Sequence, residues 1–113
     1  MSGELTRFLV RRGPGIVPIA VHQIERVEAA RDYVAVYVGG QPSLVYISMT
    51  EFISRLDGDR FVRVHRSHIV NLDYVATITP RGDGRLTVTM RDKTALTASR
   101  SGSRVLRERA LSR

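Results

Sequence analysis

The chain has 113 residues, with 18 Lys and Arg against 11 Asp and Glu, a formal net charge of +7 and no cysteine. This length fits one domain, and a hydrophobic content of 42% is enough for a packed core, which argues against a disordered chain. The absence of cysteine excludes disulfides and thiolate chemistry, and no apolar run approaches the ~20 residues that a membrane helix needs.

Short β-prone runs recur along the chain and are separated by Gly, Pro and Asp clusters, which is typical of an all-β protein with antiparallel strands. The spacing of these runs predicts a meander of short antiparallel strands. Leu86, Val88 and Met90 alternate with threonines, and the Gly82-Asp83-Gly84 turn before them predicts a hairpin. The predicted strands are 5–10, 16–20, 24–28, 33–38, 43–47, 61–64, 69–71, 75–79, 85–90 and 94–97.

One segment has helical instead of alternating periodicity. Ser48 to Glu51 has the form of a capping box, and Met49, Phe52 and Leu56 then recur at helical spacing. We therefore expect a short helix over 49–56 that packs its apolar side on a sheet. The arginine-rich end of the chain, from 104 to 113, is expected to form a basic, frayed helix.

Three polar clusters interrupt the strand pattern, at 30–33, 65–68 and 99–104. Each contains arginine, whose planar guanidinium can pair with phosphates and with guanine edges, and all but one of the 18 cations are arginine. Loops at one end of a set of sheets lie close in space, so the three clusters could form a row that follows a DNA groove. Simpler interpretations stay open: a plain turn with an ion pair at Arg31-Asp32, a core histidine at His65, and a loose linker over 99–103.

Other chemistries have little support in the sequence. His65 and His68 are expected to face opposite sides of a strand, so no metal site is predicted. Neither a nucleophile elbow nor a phosphate-binding P-loop is present, so we expect neither an enzyme nor a cofactor. Asn71 is expected to bond backbone groups in a turn. The first residues do not form a signal peptide, which favours a cytoplasmic protein.

Two segments carry a resemblance to a known family. "DRFVRVHRSHIVNLDYV" at 59–75 and "IERVEAARDYVAVYV" at 24–38 resemble the landmarks of LytTR DNA-binding domains, the output modules of many bacterial response regulators. The resemblance covers 5–106 and leaves a basic tail at 107–113. It implies an elongated, sandwich-like arrangement of about ten short strands in three small antiparallel sheets, with one short helix near 49–56.

The resemblance also implies a function. Such domains bind double-stranded DNA with loops in successive major grooves, and their sites are often direct repeats in promoters, bound by two protomers. Carried over by position, the DNA contacts are expected at Arg66, with Ser67 on phosphate, and at Arg100 as the best candidate for a guanine contact. The remaining expected contacts are Arg31, Asp32, Tyr33, Ser101, Ser103 and Arg104.

The resemblance leaves the context of the chain open. A receiver or sensor domain is expected upstream, so the chain is either a fragment or a stand-alone regulator, and a homodimer is expected on DNA. The alternative functions are binding of RNA or of a protein partner. Single-strand binding needs exposed aromatics, whereas the aromatic residues here are expected in apolar runs, namely Phe8, Tyr37, Tyr46, Phe52 and Phe61.

Overall fold

The structure is a computed structural model that describes residues 6–110. All ten predicted strands are present, with ends that differ from the prediction by at most two residues. They are β1 (Arg7–Arg12), β2 (Gly15–Ala20), β3 (Arg26–Ala30), β4 (Tyr33–Val38), β5 (Gln41–Val45), β6 (Phe61–His65), β7 (His68–Asn71), β8 (Val75–Pro80), β9 (Leu86–Met90) and β10 (Ala95–Thr97).

The strands form three antiparallel sheets. The largest has the order β5-β4-β3-β7-β6, a second has the order β10-β9-β8, and β1 pairs with β2. The hairpin predicted around Gly82–Gly84 is confirmed as β8 and β9, with Pro80 opposite Leu86. The predicted fold class, about ten short strands in three small sheets, is therefore confirmed.

The central sheet contributes side chains to two hydrophobic cores because successive residues of a strand face opposite sides. Phe61 and Ile69 pack in the core beneath the β1–β2 hairpin, whereas their neighbours Val62 and Val70 pack in a second core against the three-stranded sheet. This division explains why Phe61, Val62, Ile69 and Val70 are all apolar although neighbouring residues face opposite sides of the sheet.

The predicted short helix is α1, Met49–Ser54. The Ser48 hydroxyl accepts a hydrogen bond from the Glu51 backbone N–H at 3.0 Å, as expected of a residue that caps a helix. Met49 and Phe52 are buried in the first core. The helix is thus fixed both by its cap and by its apolar side.

A second helix, α2, runs from Arg100 to Arg109, where the sequence indicated a linker followed by a frayed helix. A β-bulge in β6 between Arg63 and His65 disturbs the ladder next to Val64. The Val64 carbonyl accepts the Ser99 backbone N–H at 2.9 Å, which seats the start of α2 against β6. The predicted boundary between a domain ending at 106 and a tail from 107 falls inside this helix.

Asn71 has the structural role predicted for it. It is fully buried, and its amide donates to the Ile24 carbonyl at 2.8 Å while its carbonyl accepts from the Asp73 N–H at 2.9 Å. These bonds tie β7 to the segment before β3. Within residues 6–110, no helix is long and apolar enough to cross a membrane.

Candidate nucleic-acid interface

The first predicted cluster is the tight turn between β3 and β4. Ala30 pairs with Tyr33, so Arg31 and Asp32 form the turn and both are exposed. Arg31 has a φ of 61°, a left-handed conformation that is uncommon for a residue other than glycine. No ion pair joins Arg31 to Asp32 in the described part of the chain. The Arg31 side chain is therefore exposed at the tip of the hairpin.

The second cluster is the turn between β6 and β7. His65 pairs with His68, which leaves Arg66 exposed and Ser67 half-buried at the turn. The Ser67 carbonyl accepts the Ala29 N–H at 2.9 Å, so this turn lies beside the end of β3. Since β3 leads directly into the Arg31-Asp32 turn, the first two clusters lie at the same end of the five-stranded sheet.

The Arg66 turn is held in place by a residue that sequence reasoning missed. Arg63 Nη2 donates to the Arg66 carbonyl at 2.7 Å, and its Nη1 donates to the Thr50 hydroxyl at 3.1 Å. Arg63 therefore links the turn to the start of α1. Its only sequence signal was a lone arginine within an otherwise apolar strand.

The two histidines lie close together, and the expectation that they face opposite sides was wrong. The chain reverses between them, so their rings approach with centroids 5.5 Å apart. His65 Nδ1 accepts the Ser67 N–H at 3.1 Å, which gives it a structural role in the turn. Burial lowers the pKa of His68, although Glu28 acts in the opposite direction, so His68 is neutral near pH 7.

No group of three or more His, Cys, Asp or Glu side chains within residues 6–110 could hold a metal ion. His65 and His68 therefore lack the further donors that a metal site needs.

The third cluster is the start of α2. Ser99 caps the helix, because its hydroxyl accepts the Gly102 N–H at 3.0 Å, while Arg100 and Ser101 are exposed. A depression of about 300 Å³ joins this cluster to the second one, and its lining includes Arg63, Arg66 and Ser101. The second and third clusters therefore share one surface depression, to which Arg63 and Arg66 contribute the cations.

Two residues of the third cluster have different surroundings. Arg104 is exposed one helical turn after Arg100 in α2. Ser103 is fully buried, and its hydroxyl accepts the Leu86 backbone N–H at 2.9 Å. The expectation that Ser103 lies along the DNA backbone does not fit this geometry. In a helix Ser103 faces the same side as Gly102 and Leu106, which is the side that packs on the sheets.

One aromatic residue, Tyr46, was expected in an apolar run but is exposed at the surface. Tyr46 is 76% exposed and Tyr33 is 43% exposed, and their rings meet edge to face with centroids 5.3 Å apart. Tyr46 follows the last residue of the edge strand β5, so its apolar neighbours did not bury it. The sequence argument against single-strand binding is therefore wrong for Tyr46.

Comparisons with known proteins agree with this architecture. The family model of the LytTr DNA-binding domain matches residues 14–110. The heme-containing CO-sensing transcriptional regulator RcoM 2 of Paraburkholderia xenovorans (strain LB400) is 28% identical over 106 residues, which are 93% of this chain and 40% of that protein. The chain thus spans less than half the length of this relative.

A solved structure shows the same fold. The LytTr DNA-binding domain of a putative methyl-accepting/DNA response regulator from Bacillus cereus superposes with a TM-score of 0.84 at 23% identity, covering 92% of this chain and 95% of that one.

Proposed function

Because this chain belongs to the LytTr DNA-binding domain family, we propose that three of its corners read the sequence of double-stranded DNA. These corners are the Arg31-Asp32 turn, the Arg66-Ser67 turn and the start of α2 at Arg100. The observation that carries the proposal is that all three arginines are exposed and lie at one end of the sheets. We refer to this surface as the arginine edge.

The dimensions of the domain are compatible with this mode of binding. The longest extent of the protein is 46 Å, whereas one turn of B-DNA spans roughly 34 Å and a major groove is about 12 Å wide. Two hairpin turns and a helix start present short, rigid tips that fit such a groove. No long recognition helix is required, as in other β-type DNA readers.

Each residue type has a chemical role at the arginine edge. An arginine can donate two of its N–H groups at once to guanine O6 and N7. Arg100 and Arg66 are therefore the proposed base contacts. Asp32 carries an acceptor that suits cytosine N4. Ser67 and Ser101 have hydroxyls that suit phosphate oxygens, and Arg104 adds a cation along the backbone.

The biological setting proposed for this activity is transcription. The domain would be the output module of a bacterial regulator, with a receiver or sensor domain elsewhere in the full protein. A chain that spans 40% of a sensing regulator supports such an arrangement. We further propose that the protein is cytoplasmic and binds direct-repeat promoter sites as a homodimer on DNA. Its proposed role is binding and not catalysis.

The function is tested by selecting binding sites from a pool of random duplexes. The proposal expects one enriched motif, repeated in the same orientation at a spacing near one or more helical turns. Single-stranded RNA is the appropriate competitor, because the exposed Tyr33–Tyr46 pair offers a stacking surface. If no duplex is enriched and the RNA binds tightly, the proposal is contradicted.

Arg100→Ala should weaken binding to the selected site by roughly 1–3 kcal/mol and relax the preference at one base pair. Arg104→Ala, one helical turn away, should weaken binding to all duplexes alike and flatten the salt dependence, because a phosphate contact carries no sequence information. Fluorescence anisotropy on selected and scrambled duplexes separates these results. An equal loss for Arg100→Ala on both duplexes would assign it to phosphate instead.

Arg31→Gly should reduce DNA affinity without reducing stability. Glycine adopts the observed φ of 61° without strain, so the free energy of unfolding should stay the same or rise by up to about 1 kcal/mol. Lys93→Gly is the matched control, because it removes the same charge at a residue that also has a positive φ, of 77°. Lys93 lies in the turn after β9, away from the arginine edge. Equal binding by the two variants would remove Arg31 from the proposed surface.

A further inference from the structure

The turn between β8 and β9, residues 81–85, contains two arginines for which the sequence suggested no function. Two glycines with positive φ, Gly82 at 95° and Gly84 at 87°, let the chain reverse, and the Arg81 N–H donates to the Arg85 carbonyl at 3.0 Å. Arg81 is exposed at the tip. Like the two turns of the arginine edge, it is a tight reversal between two paired strands that carries an exposed arginine.

This turn is fastened to α2 next to Arg100. Arg107 Nη2 donates to the Gly84 carbonyl at 3.0 Å, and the buried Ser103 hydroxyl accepts the N–H of Leu86, just past the turn, at 2.9 Å. A Cβ added to Gly84 would lie 3.8 Å from Arg100 Nη1. The turn and the proposed base-reading arginine are therefore direct neighbours.

Arg81 also points towards the start of α2. Its Nη1 lies 3.5 Å from the Thr97 hydroxyl, and Thr97 is the last residue of β10, directly before the segment that enters α2 at Arg100. The β8–β9 turn thus lies at the end of the three-stranded sheet from which α2 begins. In space it lies beside the third cluster, on the side of Arg107.

We propose that the β8–β9 turn is a fourth DNA contact, in which Arg81 binds a backbone phosphate beyond the base pair read by Arg100. The inference rests on the proposed function of the arginine edge and extends that edge by one corner. A phosphate is the chemistry that fits, because the half-exposed guanidinium is already shared between Thr97 and Asp83, whose carboxylate lies 3.8 Å away. Both contacts involve Nη1, which leaves Nε and Nη2 to donate to the oxygens of a phosphate.

A substitution of Asp83, in the same turn, changes the local charge in the direction opposite to Arg81→Ala. Its Oδ1 accepts the Arg85 N–H at 3.1 Å, and an asparagine can make the same bond, so Asp83→Asn keeps the turn while it removes a negative charge. It also frees Arg81 from its ion pair. DNA binding should therefore respond in opposite directions to Arg81→Ala and Asp83→Asn.

The experiment measures the affinity of the whole chain for the selected duplex and for a scrambled duplex over a range of salt concentrations. Arg81→Ala should weaken both by about five- to tenfold near 0.1 M salt and reduce the salt slope by about one, the effect of losing one phosphate contact. Asp83→Asn should tighten both by about threefold, since a repelling carboxylate leaves the DNA face. Arg91→Ala, exposed at the opposite end of the same sheet, should change neither by more than about twofold.

The outcomes separate this inference from the function on which it rests. If Arg81→Ala and Asp83→Asn both behave like Arg91→Ala while Arg100→Ala still loses binding, the fourth contact is wrong and the arginine edge stands. If Arg100→Ala also has no effect, the proposed edge itself is wrong. A loss for Arg81→Ala confined to the selected duplex would overturn the phosphate assignment. Thermal unfolding of each variant shows whether the turn is intact, and Asp83→Asn remains decisive if Arg81→Ala unfolds.

Discussion

Gly102→Ala should unfold the domain at a markedly lower temperature, although the same change in an ordinary helix would stabilise it by about 1 kcal/mol. A Cβ on Gly102 would overlap the Val64 carbonyl oxygen and stand 2.6 Å from the Val64 carbonyl carbon. Both are backbone atoms, which cannot turn away as a flexible side chain can. To accommodate the methyl group, α2 must move off β6.

The consequences of that movement extend to the DNA face. The Ser103 hydroxyl would separate from the Leu86 N–H, and Arg100 would lose its position beside the β8–β9 turn at Gly84. Overpacking with the loss of a buried hydrogen bond corresponds to about 2–4 kcal/mol, or a drop of about 10–20 °C in the unfolding temperature for a domain of this size.

Calorimetry of Gly102→Ala and of Val105→Ala provides the comparison. Val105 lies on the exposed side of the same helix at 40% exposure, so its truncation should shift the unfolding temperature by only a few degrees. If Gly102→Ala melts at or above the temperature of the unmodified domain, the close approach of α2 to β6 is not as described.

The largest effect on binding is expected from removing all three arginines of the arginine edge. The triple substitution of Arg31, Arg66 and Arg100 by alanine should weaken binding to the selected duplex on the order of a thousandfold or more. Each base contact contributes roughly 1–3 kcal/mol, and separated contacts add. Because all three side chains are exposed, the fold should survive.

A charge-matched control separates position from charge. The triple substitution of Arg7, Arg91 and Lys93 also lowers the net charge from +7 by three, and these side chains are exposed away from the arginine edge. Long-range attraction alone predicts a modest, similar loss for both variants, of about tenfold at low salt. Equal losses in an anisotropy titration would mean that net charge, and not the arrangement of the edge, drives binding.

Most of the fold could be predicted because its information is local. Strands such as β9 alternate apolar and polar residues, turns such as Gly82–Gly84 contain residues that tolerate positive φ, and the cap at Ser48 precedes a helical stripe. The bond between Asn71 and the Asp73 N–H was also foreseen, because an asparagine before a turn commonly bonds nearby backbone groups, whereas the bond to the distant Ile24 carbonyl was not.

The start of α2 could not be predicted in the same way because its cause is not local. Three serines and a glycine in 99–103 disfavour a helix interior. These residues are held at the bulge in β6, where the Ser99 hydroxyl donates to the Val64 carbonyl, 35 residues earlier in the chain. Ser103 was therefore assigned to DNA when it belongs to the interior. The one usable signal was Ser99 as a cap before the strong helix formers that follow Arg104.

The site itself was only partly visible in the sequence. Arginine at three interruptions of the strand pattern indicated the clusters, and the strand registers then bring Arg31 and Arg66 to one end of a sheet. Arg63 and Arg81 were missed because Thr50 and Thr97 are brought near them only by the tertiary fold, and because the bond from Arg63 to the Arg66 carbonyl depends on the turn between β6 and β7.

Backbone amide NMR of the domain titrated with its selected duplex tests most directly whether the arginine edge is the surface that meets DNA. The largest shifts should fall on residues 31–33, 66–67 and 99–101, three segments distant in sequence, while β1 and the turn after β9 stay unchanged. Shifts concentrated on the β1–β2 hairpin or on residues 91–94, with the three segments silent, would contradict the account.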